Sequence, residues 1–117
     1  MTIGYTLVNN SKQEQIMFLN IPVSTEWEIE NNPVSSFIVR WYKARYPEDE
    51  IAFVSDIYDD WPFDTGSRGV LEGYPDVTKR VLDILIKEGH VVDNGIEWQD
   101  DDEPETVFIR DLALANK

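Results

Sequence analysis

The sequence predicts an α+β fold: a single domain in which a mostly antiparallel sheet of about five to six strands carries two helices packed on it. The main observation is the order of the patterns. Segments with strand alternation and segments with helical spacing follow one another as hairpin, helix, strand, long loop, helix, hairpin and strand. That order is too irregular for a doubly wound parallel sheet. The second observation is that the 117 residues, 42% of them hydrophobic, are sufficient for one core without disulfides or metal.

A β-hairpin is predicted at the start of the chain. Residues 3–8 and 15–19 are rich in β-branched, aromatic and other apolar residues, and the turn formers at 9–12 lie between them. Residues 24–32 then alternate apolar residues with glutamates. This alternation favours a short extended edge or an irregular crossing.

Two helices are predicted by apolar spacing and by their end signals. The first begins at Asn32-Pro33, because asparagine caps helices and proline suits the first helical position, and it ends at Pro47. The second covers 77–88, with Asp76 as its N-cap and Gly89 in the left-handed conformation that ends many helices.

A long loop at 55–75 divides the chain, after a predicted central strand at 51–54. Most loops in compact domains are only about 4–6 residues long. A loop of this length and composition either folds back over a core or meets a partner. Its side chains combine aromatic rings with carboxylates: Tyr58, Trp61, Phe63, Tyr74, Asp56, Asp59, Asp60 and Asp64.

A second hairpin is predicted at 90–98, with a type I′ turn at Asp93-Asn94-Gly95. Such a turn needs positive φ at both central residues, and asparagine and glycine tolerate it. An acidic run at 100–105 follows, which must be solvated or bound by a positive partner. Residues 106–112 read as the last strand.

The composition limits the classes of function. The formal net charge is −13, and it is uneven: residues 1–50 hold 7 acidic and 4 basic side chains, whereas residues 51–117 hold 16 and 6. This acidity disfavours direct nucleic-acid binding and anionic membranes, and it favours a basic partner. The chain has no cysteine, and it has neither a signal peptide nor an apolar run long enough to span a membrane. We therefore expect a cytoplasmic protein.

No motif in the sequence specifies a reaction. The loop aspartates could hold Ca²⁺ or Mg²⁺, but the EF-hand pattern is absent and Trp61-Pro62 interrupts the loop. His90, the only histidine, opens an apolar strand directly after a helix end, which is typical of a structural role. Nucleophile and phosphate-loop motifs are absent. The sequence therefore predicts no catalytic residue, no metal and no cofactor.

The sequence thus favours a non-enzymatic, acidic protein-binding module with a basic partner such as a nuclease toxin or a nucleic-acid-binding protein. With a toxin as partner, the module would be of the immunity or inhibitor type. Aromatic anchors would supply contact area, and carboxylates would meet lysine or arginine. One alternative is a scaffold or subunit domain that docks through aromatic surface; another is a carboxylate enzyme that uses a divalent metal. The oligomeric state has no signal in the sequence. The predicted partner-binding residues, which form one surface only if the long loop lies near the last hairpin, are Asp59, Asp60, Trp61, Asp64, Asp101, Asp102 and Glu103.

Overall fold

The structure, a computed structural model, describes residues 4–23, 25–55, 61–105 and 107–115. Within these ranges it is an α+β fold with two antiparallel sheets, three α-helices and one 3₁₀ helix. None of these helices has the length and apolar composition needed to cross a membrane. In chain order the elements are β1 (Tyr5–Asn9), β2 (Glu14–Ile16), α1 (Glu26–Asn31), α2 (Pro33–Arg45), β3 (Ile51–Ser55), the 3₁₀ helix (Arg68–Gly73), α3 (Thr78–Lys87), β4 (Val91–Gln99) and β5 (Phe108–Leu114).

The α+β class is confirmed, but one sheet of five to six strands with two helices is wrong. The five described strands divide into a sheet of three, in the order β2-β1-β3, and a separate ribbon of two, β4-β5. The ribbon does not join the larger sheet because the outer edge of β5 meets Asn20, a loop residue, instead of another strand. The backbone N–H of Arg110 donates to the carbonyl of Asn20 at 3.0 Å.

The three-stranded sheet confirms the first hairpin, although its second strand, predicted at 15–19, is the shorter β2. The strand predicted at 51–54 is also present as β3, but it lies at an edge of the sheet and β1 is the central strand. Both faces of the sheet are covered. Leu7 lies opposite Ile16 of β2 and Phe53 of β3, and this face packs against the main core with α2 and α3. Val8 and Val54 on the other face pack in a smaller cluster with residues of the long loop. The long loop is therefore, at least over residues 61–74, a cover for the sheet.

The segment 24–32 is a correction, because it contains a helix where an extended edge or irregular crossing was predicted. Thr25 caps α1 and forms a capping box with Glu28: the Thr25 hydroxyl accepts from the Glu28 backbone N–H, and the Glu28 side chain accepts from the Thr25 backbone N–H. Only Ile29 of α1 is fully buried. One buried residue is too little to produce a helical hydrophobic pattern, and the chance alternation of Trp27 and Ile29 imitated a strand.

The hairpin turn predicted at residues 93–95 is also wrong. β4 runs through this point and pairs with β5, with irregularities in register on either side of Ile96. The Asp93 carboxylate accepts from the Gly95 backbone N–H at 2.9 Å, and Gly95 has φ +109°. Positive φ at a glycine serves a bulge as well as a turn, so the Asn-Gly pair alone does not distinguish the two.

Both predicted long helices are confirmed with small shifts at their ends. The Asn32 side chain accepts from two backbone N–H groups of α2, and Pro33 is its first residue. Asp76 was predicted as the N-cap of α3, but that position is held by Val77. The Asp76 carboxylate nevertheless accepts from the Thr78 backbone N–H at 3.1 Å. Gly89 follows α3 with φ +79°, as predicted.

Candidate protein-binding surface

The β4-β5 ribbon is anchored at its base and projects at its other end. Val91 is buried in the main core, and Leu112 and Leu114 pack against that core. Further along, all residues of β4 from Val92 to Gln99 are exposed. A ribbon anchored in this way presents its distal half to solvent while its base stays fixed.

The predicted acidic run forms the turn at the end of the ribbon, which we call the acidic tip (residues 100–105). The backbone closes the turn through Asp100 N–H to the Val107 carbonyl at 2.8 Å and Val107 N–H to the Glu103 carbonyl at 2.9 Å. The Asp100 carboxylate accepts from the backbone N–H groups of Asp102 and Glu103 at 2.8 and 3.0 Å. Asp100 therefore shapes the turn, as aspartate does in many turns.

The remaining carboxylates of the acidic tip have no such role. Asp101, Asp102 and Glu103 are exposed, and no ion pair or side-chain hydrogen bond to them is found among the described residues. Three adjacent charges that no described side chain neutralises are available to a positive partner. Of the predicted partner-binding residues, these three form a continuous surface.

Exposed apolar side chains lie on the same ribbon. Trp98 is 53% exposed, Ile96 56%, Val92 43% and Val107 41%. Trp98 and Ile96 precede the acidic tip directly on β4, and Val107 follows it. Ile96 lies opposite Arg110 and Trp98 opposite Ile109, so these two side chains are on opposite faces of the ribbon. Exposed apolar residues surrounded by polar ones are typical of interaction sites. Trp98 belongs to the segment predicted as the second hairpin, whereas the place of Ile96 on the ribbon depends on β4 continuing past Gly95.

The only basic side chain of residues 91–114 is already paired within the ribbon. Arg110 donates to the Asp93 carboxylate at 2.6 Å, and the Arg110 side chain is 15% exposed. Hydrogen bonding by Arg110, together with the Gly95 N–H, holds the pKa of Asp93 below its usual range. Residues 91–114 carry eight acidic side chains against this one arginine, so the ribbon has a net charge of −7.

Trp61 and Asp64, the other described members of the predicted site, lie on the long loop. The Trp61 ring packs edge-on against Phe63 with centroids 5.0 Å apart, and its Nε1 donates to the Thr65 carbonyl at 2.9 Å. Asp64 is exposed. Asp59 and Asp60 lie outside the described residues. Trp61 is half-buried and serves mainly to cover the sheet.

Hydrogen bonds tie the long loop to the turn after β1. The Tyr74 hydroxyl donates to Asn10 Oδ1 at 2.6 Å, and Asn10 Nδ2 donates to the carbonyl of Thr65 at 3.1 Å. The loop cluster lies on the Val8 face of the sheet, whereas the ribbon base packs into the core on the Leu7 face. No hydrogen bond or ion pair between described residues joins the loop to the acidic tip. The predicted partner-binding residues form one surface only if the long loop lies near the acidic tip, and these bonds give that arrangement no support.

A largely buried ionic network links β1, β2, α2 and α3, although its Arg80 side chain is 54% exposed. The Glu14 carboxylate accepts from Arg80 Nη2 at 2.9 and 3.0 Å and from the Tyr42 hydroxyl. Asn9 Nδ2 donates to the Tyr42 hydroxyl at 3.1 Å and to Asp49 Oδ2 at 2.9 Å. Burial, and then the hydrogen bond to Glu14, raise the pKa of Tyr42 well above its usual value. The Glu14 and Tyr42 side chains are both buried, so we assign the network to stability.

Neither His90 nor the described carboxylates form a metal centre. The His90 ring packs 5.3 Å from the Phe37 ring, and its Nε2 lies 3.6 Å from Glu88 Oε1. Among the described residues, no group of three or more histidine, aspartate or glutamate side chains could hold a metal ion. Asp56, Asp59 and Asp60 of the proposed metal loop lie outside those residues.

Comparison of the chain with protein-family models, with curated proteins and with solved structures finds no match. The geometry and charge of the ribbon are therefore what indicate a function.

Proposed function

We propose that this protein is a non-enzymatic, acidic protein-binding module that captures a basic partner through the acidic tip and the exposed apolar residues beside it. The observation that carries the proposal is the placement of Asp101, Asp102 and Glu103, all exposed and without a partner in the described chain, at the end of an anchored ribbon beside exposed Trp98. The partner we propose is a basic nuclease toxin or another nucleic-acid-binding protein. Against a toxin, the protein acts as an immunity-type inhibitor in the cytoplasm.

Electrostatics explains how such a surface selects its partner. A net charge of −7 on residues 91–114 attracts a cationic surface over about one Debye length, roughly 8 Å at physiological ionic strength. This attraction raises the association rate and repels acidic competitors. Once contact is made, Trp98 supplies the apolar area that slows dissociation, as aromatic residues do at many interfaces. A nuclease site that binds phosphate is cationic, so an acidic tip bound there blocks the nucleic acid.

The test is affinity capture from a lysate of the native host, eluted by a salt gradient and identified by mass spectrometry. The informative variant combines Asp101→Asn, Asp102→Asn and Glu103→Gln, which we call the tip-neutral variant. The control combines Glu30→Gln, Glu48→Gln and Glu72→Gln, three exposed glutamates elsewhere in the chain. Both variants change the net charge from −13 to −10.

We expect the native protein and the control to retain one basic protein that elutes at moderate salt, and the tip-neutral variant to lose it. Equal retention by the two variants would show that only net charge matters and would refute the assignment to the acidic tip. A lysate that yields no basic protein with the native chain would refute the function itself.

One observation favours a second candidate, a scaffold domain that docks through aromatic surface. Trp27 on α1 is 71% exposed, more than any other large apolar residue described. Salt separates the two candidates, because capture by charge weakens as salt rises whereas apolar docking largely persists. A partner that resists salt and is lost from Trp27→Ser would favour the scaffold.

A further inference from the structure

The two edges of the β4-β5 ribbon are unequal. On the β5 side, Asn20 covers the edge: its carbonyl accepts from Arg110 N–H at 3.0 Å, and its Nδ2 donates to the Phe108 carbonyl at 2.9 Å. Asn20 has φ +66°, a left-handed conformation that asparagine tolerates. On the β4 side, no strand and no loop of the described chain pairs with the outer edge.

An unpaired edge of this kind binds extended chains, because its outward N–H and C=O groups have no partner. Proteins usually block such edges with lysine, proline or bulges. β4 contains neither lysine nor proline, but its register with β5 shifts on both sides of Ile96, so beyond Gly95 the edge is regular from Trp98 to Gln99. The segment Ile96–Gln99 therefore combines an accessible edge with exposed apolar side chains, and it leads directly into the acidic tip.

The charge of the ribbon decides which occupant fits. In a dimer of this chain, two ribbons with a net charge of −7 each would lie close together and repel one another. An anionic lipid surface would be repelled in the same way. An extended segment rich in lysine or arginine instead places positive charge beside Asp101, Asp102 and Glu103. Charge complementarity thus favours a basic segment over the other occupants.

We propose that the partner's recognition element is an extended basic segment that adds as a third strand along Ile96–Gln99. Ile96 lies opposite Arg110 and Trp98 opposite Ile109, so these two side chains are on opposite faces of the ribbon. Apolar side chains on the two faces of the added strand therefore pack on Ile96 and on Trp98, and its cations reach the acidic tip. This mode of binding, in which main-chain hydrogen bonds give affinity and side chains give specificity, is known as β-augmentation. The inference rests on the proposed function and specifies the kind of surface that the partner offers.

The test uses two peptides of nine residues, the length of β4, that alternate lysine and valine. One has ordinary peptide bonds. The other has every internal backbone nitrogen methylated, so it keeps its charges but cannot donate hydrogen bonds along an edge. We expect the ordinary peptide to bind. The methylated peptide should have an affinity lower by a factor of about ten or more, since at least two backbone hydrogen bonds are lost. Hydrogen exchange should slow at residues 96–99 only with the ordinary peptide.

Two tryptophan variants locate the contact. Trp98→Ser should weaken the ordinary peptide severalfold, whereas Trp27→Ser, an exposed tryptophan on α1, should leave its affinity unchanged. The opposite result would place the contact on α1 and overturn the inference.

The remaining outcomes separate this inference from the proposed function. Equal affinity for both peptides, lost in high salt, would overturn strand addition and leave capture by charge intact. Binding of the lysate partner without binding of either peptide would also overturn strand addition alone. Failure of both peptides and of lysate capture would overturn both proposals.

Discussion

Tyr42→Phe is the sharpest test of the buried ionic network. Tyr42 is 1% exposed, and its hydroxyl donates to the Glu14 carboxylate and accepts from Asn9 Nδ2 at 3.1 Å. The substitution removes one oxygen and leaves the aromatic ring, so the packing of the core is unchanged. What is lost is one donor to a carboxylate that is buried together with Tyr42.

The expected cost follows from the contacts that remain. Glu14 keeps its ion pair with Arg80, and Asn9 Nδ2 keeps Asp49 Oδ2 at 2.9 Å, so neither group is left without a partner. A hydrogen bond to a charged group contributes about 1.5–3 kcal/mol. We expect the free energy of unfolding to fall by about 2 kcal/mol.

Tyr46→Phe is the matched control. Tyr46 lies against Tyr42 with ring centroids 5.0 Å apart, and no hydrogen bond of its hydroxyl is found among the described residues. The change should cost less than about 0.5 kcal/mol. Urea unfolding followed by circular dichroism gives the midpoint and slope for both variants. Equal, small losses in the two variants would refute the role of the network.

The pH dependence gives a second reading of the same residue. The pKa of Tyr42 is raised in the folded state above its unfolded value of 10.0. Above pH 10.0 the unfolded chain therefore loses the Tyr42 proton while the folded chain keeps it, and stability falls as pH rises. The contribution has a limiting slope of about 1.4 kcal/mol per pH unit. The free energy of unfolding, measured at increasing alkaline pH, should fall less steeply for Tyr42→Phe than for the native protein. Parallel curves for the two proteins would contradict the raised pKa of Tyr42.

Two further predictions concern the backbone. Gln13 in the turn before β2 is exposed and has φ +57°, a conformation that glycine adopts without strain. Gln13→Gly should therefore raise the free energy of unfolding, measured in urea, by about 0.5–1 kcal/mol. A lower free energy of unfolding would mean that the Gln13 side chain stabilises the turn. Thr25→Ala removes the hydroxyl of the α1 capping box and should cost about 1 kcal/mol. Ser67→Ala is the comparison, because Ser67 is exposed and its hydroxyl makes no capping hydrogen bond to the 3₁₀ helix that follows it. An unchanged unfolding midpoint for Thr25→Ala would show that α1 does not depend on its cap.

The sequence predicts an element well where the signal is local and has one meaning. Asn32-Pro33 stands directly before a segment of helical spacing and Gly89 directly after one, so α2 and α3 were predicted close to their observed ends. The Thr25-x-x-Glu28 capping box was equally local and could have located α1. The Asn94-Gly95 pair has two meanings, a turn or a bulge, and only the pairing of β4 with β5 decides between them.

The candidate site was predictable in its charge but not in its surroundings. Exposure of Asp101, Asp102 and Glu103 follows from their adjacency, since three neighbouring carboxylates cannot be buried together. That Trp98 lies on the same ribbon, and that the edge of β4 is open, depends on long-range pairing that no local pattern contains. The same holds for Glu14 and Arg80, which are 66 residues apart in the chain.

The acidic tip should cost stability in the isolated protein, and this gives the last prediction. The turn needs only the Asp100 carboxylate and backbone groups, all of which the tip-neutral variant keeps. Asp101, Asp102 and Glu103 add mutual repulsion and no described contact. Neutralising them should therefore leave the free energy of unfolding equal or raise it by a few tenths of a kcal/mol, more at low salt.

The control variant neutralises Glu30, Glu48 and Glu72, which are not adjacent to one another. A gain in the free energy of unfolding that only the tip-neutral variant shows would therefore come from repulsion within the acidic tip. Urea unfolding at two salt concentrations measures it. A loss above about 1 kcal/mol would mean that these carboxylates are part of the fold. Residues that weaken a fold and yet are required for capture are retained for binding, so a stable tip-neutral variant that no longer captures its partner would be the strongest support for a binding role.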